Sequence, residues 1–150
     1  MTTPKTLGET LPSLKAHSYA LLHQIGYRGA VLLVFGLVDL VYSLSFAFPT
    51  AEALANPTFQ WLTRFLPITV WAVIWGVVGL FCFFYAFRTI DDAIGYAMAI
   101  LIKVFWSALF LWGWGLGEVQ RGYLSAVIWG GFALFLWLES RRPETAGRKA

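Results

Sequence analysis

Asp39 and Lys103 are the residues of this chain best suited to chemistry, and each lies inside a long apolar run. A charge at mid-bilayer costs about 2.5–3.5 kcal/mol on insertion scales, so it needs a partner, a task or a route to the interface. If both runs are helices crossing a membrane in the same direction, their depths can be compared. Asp39 is ten residues past the start of its run at Gly29, and Lys103 is ten past Ala93. Each then lies roughly 15 Å along its helix. Opposite charges at one depth predict an intramembrane ion pair between the first and third helices. Three readings stay open: a structural pair, two separate exceptions, or a proton or ion site. In the second, Lys103 leans toward the interface and Asp39 bonds to hydroxyls or to another subunit.

Other reactive residues read as structural. Cys82 is the single cysteine and lies inside the second apolar run, where it serves as a small hydrophobe. Asp91 and Asp92 follow Thr89-Ile90 in a capping-box pattern, where carboxylates favour the positive end of a helix dipole. His17 and His23 precede the first span, so a transmembrane bis-histidine haem site is not available. Gly113-Trp114-Gly115-Leu116-Gly117 follows an apolar helix and reads as a turn, with Glu118 and Arg121 as a local surface pair. HExxH, phosphate-loop and GxSxG patterns do not occur. No catalytic residue, metal site or cofactor is assigned, and the chain is not read as an enzyme.

These residues need elements to hold them. Apolar residues make up 59% of the chain and charged residues 13%, about half the usual charge of a soluble domain. Spans are predicted at residues 29–48, 67–87, 93–114 and 119–138, each about long enough to cross a bilayer. Leu11, Leu14, Ser18, Leu21, Leu22 and Ile25 share one helical face ahead of the first span. That pattern reads as an interfacial helix or as a simple helical lead-in. Asn56-Pro57 predicts a cap and first turn for a short amphipathic helix on the outer surface, between the first two spans. The expected fold is all-α: an integral membrane four-helix up-down bundle with an N-terminal amphipathic interfacial helix. Residues 1–28 form the leading segment, 29–138 the transmembrane domain and 139–150 a basic tail.

Gly76, Gly79, Gly95, Ala99, Gly130 and Gly131 are read as helix-packing positions, since small residues allow close approach. The eight tryptophans and thirteen phenylalanines are read as lipid-facing and as interfacial belts. No internal sequence repeat is read in the chain. Four spans put both termini on one side. That side carries Lys5, Lys15, Arg28, Arg88, Arg141, Arg142, Arg148 and Lys149, against Arg64 and Arg121 on the other. The positive-inside rule then places both termini in the cytoplasm. The net charge of +3 flanks apolar segments and forms no stripe, so nucleic acid is not a partner. The expected partners are the lipid bilayer and either copies of the chain, as a homo-oligomer, or a larger membrane complex.

The stretches Tyr27-Arg28-Gly29-Ala30-Val31-Leu32-Leu33 and Arg88-Thr89-Ile90-Asp91-Asp92-Ala93-Ile94-Gly95-Tyr96 resemble small membrane proteins of phages infecting actinobacteria. Some of these are treated as holin-like. The resemblance implies a protein that assembles in the cytoplasmic membrane and permeabilises it. Two alternatives stay open: an accessory subunit of a larger complex, and a small transporter using Asp39. Small multidrug transporters also place an acidic residue in their first span, but theirs is a glutamate in a shorter, often dual-topology chain.

Overall fold

The computed structural model describes the backbone of residues 7–88 and 92–142, and the side chains of residues 25–88 and 92–142. Helix α1 (Leu7–Ala47) is broken at Gly26, whose φ of 62° and ψ of 174° are not helical. Only glycine adopts that backbone at low cost. The break separates a leading helix from the first span, Ile25–Ala47. The span therefore begins earlier than the expected Gly29, and Arg28 belongs to its first turn. The expected amphipathic face of the leading helix, and the tail beyond Arg142, lie outside the described side chains.

Two short helices follow, α2 (Ala51–Ala55) and α3 (Pro57–Thr63). The Thr50 hydroxyl accepts from the Ala53 amide at 3.1 Å, and Asn56 Oδ1 accepts from Thr58 N at 2.9 Å. Pro57 occupies the first helical turn, as the Asn-Pro pair predicts. As an amphipathic helix, α3 buries Trp61 and Leu62 while Gln60 and Thr63 stay exposed. Trp71 Nε1 donates to the Leu62 carbonyl at 3.2 Å, and the Trp61 ring lies against Gly113. The segment thus closes one end of the bundle.

The remaining spans are α4 (Ile68–Ala86), α5 (Asp92–Gly115) and α6 (Gly122–Ser140). Pro67 precedes α4 because it cannot continue a helix backward. The end of α5 is a Schellman turn: Glu118 N donates to the Gly113 carbonyl and Gly117 N to that of Trp114, both at 2.9 Å. Gly117 supplies the required positive φ of 75°. Helix α6 starts three residues later than expected and runs through Glu139, which the sequence assigned to the tail.

With four apolar helices of spanning length and an up-down course, the chain is a polytopic membrane protein with an all-α four-helix bundle. The start of the first span and the end of α6 lie at one end of the bundle, called here the termini end; α2 and α3 cap the other, the loop end. Helix α1 packs along α4 and α5 along α6, with α4 and α5 adjacent. Gly36 and Gly79 face each other, so a Cβ on Gly79 would stand 3.0 Å from the Gly36 carbonyl. Gly76, Gly95 and Gly130 meet Ser43, Tyr85 and Ser107, and Ala99 is buried. Gly131 departs from the expected packing role, since a Cβ there meets nothing within 4 Å. The space between α1 and α6 is filled by rings, with Phe35 at 5.5 Å from Phe132 and 6.0 Å from Phe135.

The tryptophans also depart from expectation. Trp61, Trp71, Trp75, Trp106 and Trp129 are buried, and only Trp112, Trp114 and Trp137 are exposed. A composition count cannot reveal this, because it carries no information about helix rotation. Gly79→Leu should destabilise the bundle by about 1–3 kcal/mol through overpacking, whereas Gly131→Leu should stay within about 0.5 kcal/mol. Thermal unfolding of both variants in detergent checks the contrast.

Candidate functional site

Lys103 Nζ and Asp39 Oδ1 are in direct contact as a hydrogen-bonded salt bridge. Both side chains are 0% exposed. The helical phase accounts for this burial. In α1, Leu32, Asp39 and Phe46 are buried at intervals of seven; in α5, Ala99, Lys103 and Trp106 share the inward face. The two charges therefore occupy core positions on diagonal helices and meet on the bundle axis. Helix starts at Ile25 and Asp92, not Gly29 and Ala93, still leave them level across the bundle.

Each span contributes to the surroundings of this pair. The Lys103 ammonium lies 5.6 Å from the Phe35 ring centroid, 5.3 Å from Trp75 and 6.0 Å from Trp129. The negative faces of aromatic rings attract a desolvated cation. Trp75 and Trp129 also touch each other at 5.2 Å, and Tyr42 bridges them at 5.0 and 4.9 Å. The carboxylate is less fully served. Asp39 Oδ2 and Trp75 Nε1 have no hydrogen-bond partner among the described residues.

One turn toward the loop end, two hydroxyls join neighbouring helices. Ser43 Oγ donates to the Ala72 carbonyl and Ser107 Oγ to the Ala126 carbonyl, both at 2.7 Å. Gly76 and Gly130 follow those carbonyls by four residues and admit the serines. Cys82 is buried between α4 and α5 with its Sγ 3.9 Å from the Gly95 carbonyl.

A second polar cluster lies at the termini end. Arg28 Nη2 donates to Asp92 Oδ1 at 2.8 Å, and Arg28 Nε lies 2.8 Å from Asp92 Oδ2. Arg28 Nη1 donates to the Arg142 carbonyl and the Tyr96 hydroxyl to the Arg28 carbonyl, both at 3.0 Å. These contacts tie α1 to the start of α5 and to the end of α6. The capping role expected of Asp92 is thus joined by an ion pair, and Thr89 to Asp91 lie outside the described residues. Glu139 is buried there, 3.4 Å from Arg142, and its Oε2 has no partner among the described residues. The sequence reading missed Glu139, although it continues the inward spacing of Ala126, Trp129, Ala133 and Leu136. At the loop end, Glu118 pairs with Arg64 at 2.8 Å instead of the expected Arg121, whose left-handed backbone opens α6. Among the described residues, no three His, Cys, Asp or Glu side chains gather as a metal site.

Removing one member of a buried ion pair leaves an uncompensated charge, while replacing both with apolar groups is often neutral. Asp39→Leu or Lys103→Met alone should cost about 3–5 kcal/mol, and the double variant should recover most of that loss. A double variant no more stable than the better single would remove the pair from the centre of the fold. Arg28→Lys should cost about 1–3 kcal/mol, because lysine cannot present two parallel donors to Asp92. Unfolding curves in one detergent check both sets.

Comparison with family models, curated proteins and solved structures finds no match to this chain.

Proposed function

We propose that the chain is a non-enzymatic protein of the cytoplasmic membrane that acts by assembling there, in the manner of holin-like proteins, with both termini cytoplasmic. The observation that carries this reading is how the central charges are enclosed. Asp39 and Lys103 neutralise each other beside aromatic rings drawn from three spans, Phe35 of α1, Trp75 of α4 and Trp129 of α6. The outward faces of those spans are apolar, with Val34, Leu37, Val73, Leu80, Leu101, Val127 and Leu134 exposed. A body of this kind meets its surroundings through lateral contacts in the bilayer. A permeabilising path would then run between copies and not through one chain.

One observation favours a transporter instead. Asp39 Oδ2 is buried without a partner among the described residues, and a half-satisfied carboxylate at membrane depth is a candidate ion or proton site. The two readings separate by experiment. Induced expression should arrest growth and collapse membrane potential at a defined time, read with a potential-sensitive dye. Cells that stay energised contradict the holin-like reading. A proton- or cation-coupled flux abolished by Asp39→Asn at normal expression supports the transporter, and co-purification with a partner at fixed stoichiometry supports an accessory subunit.

A further inference from the structure

The structure overturns the absence of a repeat. Residues 72–81 read AVIWGVVGLF and residues 126–135 read AVIWGGFALF, identical at seven of ten positions. Along α1 and α5, an offset of 64 places Asp39 on Lys103, Tyr42 on Trp106, Ser43 on Ser107 and Phe46 on Phe110. The offset falls to 54 between α4 and α6 because the first hairpin carries α2 and α3 in its longer connection.

The matched residues make matched contacts. Ser43 and Ser107 donate to the equivalent carbonyls of Ala72 and Ala126 at the same 2.7 Å. Tyr42 meets Trp129 at 4.9 Å and 79°, while its counterpart Trp106 meets Trp75 at 5.2 Å and 89°. The Tyr42–Phe46 ring pair is 6.2 Å apart and the Trp106–Phe110 pair 5.7 Å. Burial repeats as well: Ala72 and Ala126 are inside, Val73 and Val127 outside, Leu80 and Leu134 outside. Three residues touch their own counterparts, in the pairs Arg28–Asp92, Asp39–Lys103 and Trp75–Trp129. In a two-fold arrangement only residues at the axis do this. Because α1 runs parallel to α5 and α4 to α6, the axis follows the span direction.

We infer that the chain is two fused copies of a two-span unit, related by a pseudo-two-fold axis, whose interface fits a unit of opposite charge. The α1–α4 unit carries Arg28 and Asp39 on the axis, and the α5–α6 unit carries Asp92 and Lys103. Pairing two α1–α4 units would set Asp39 against Asp39 and Arg28 against Arg28, and two α5–α6 units would fare no better. Like charges at a buried contact exclude a wrong partner, so the charges select the unlike unit. The inference does not depend on whether the whole protein permeabilises membranes.

The test exchanges the charges across the axis in the full chain. Asp39→Lys combined with Lys103→Asp moves the ammonium to the other side of a centre whose Trp75 and Trp129 are themselves equivalent. The rings then receive it as before. Phe35 alone lacks a ringed counterpart, since Ala99 stands at its equivalent position, so a small residual loss remains. The expected result is a melting temperature within roughly 4 °C of the parent, far above either single change. A lysine pocket without two-fold equivalence would leave the rings facing a carboxylate. Recovery of less than half of the loss from the single changes therefore overturns the inference. If no centrally altered chain folds, Arg28→Asp with Asp92→Arg decides by the same comparison at the less buried end.

Discussion

An unpaired charge in hydrocarbon is the constraint on which the rest of this bundle depends. Asp39 and Lys103 are tolerable at membrane depth because each neutralises the other. Their contact requires two diagonal helices to present particular faces to the axis. Once α1 and α5 are so rotated, Leu32 and Phe46 also turn inward, as do Ala99 and Trp106. Few other rotations would leave both charges paired, which makes the pair a determinant of orientation whatever its net stabilisation.

The packing follows from that geometry. Rings gather at the centre because they tolerate a cation at close range, and Gly76 and Gly130 give the room for Ser43 and Ser107 one turn away. The serine–carbonyl bonds hold each hairpin at short spacing, while the α1–α6 side stays wide and is filled by Phe35, Phe132 and Phe135. At the termini end, Arg28 repeats the central solution closer to water, joining three helices through one guanidinium. The outward faces are left apolar, with Val34, Leu37, Val73, Leu101 and Val127 exposed.

Pseudo-symmetry gives these details a common origin. A two-fold pair of identical units would bring identical residues together on the axis. This chain instead carries opposite charges there, at two levels. The same substitutions that remove self-repulsion also make the two halves distinguishable, so that affinity and partner choice come from the same two pairs of side chains. The longer first connection, with Trp61 and Leu62 sealing the loop end, is where the halves differ most.

Much was legible in the amino-acid order. Run lengths set four spans, Asn56-Pro57 set a helix start, and equal counts along two runs paired Asp39 with Lys103. Those features depend on local periodicity or on a strong rule about charge in lipid. Other features needed the fold. Five tryptophans turned inward, Glu139 joined the core and Glu118 chose Arg64, because each outcome rests on rotation and on neighbours far apart in the chain. The repeat was present in the letters AVIWG but carried no meaning until the contacts of Ser43 and Ser107 were seen to match. Sequence alone determined that the chain crosses a membrane and which charges must meet. Only tertiary structure decided what surrounds them, since the enclosing rings come from three helices, α1, α4 and α6, brought together by packing.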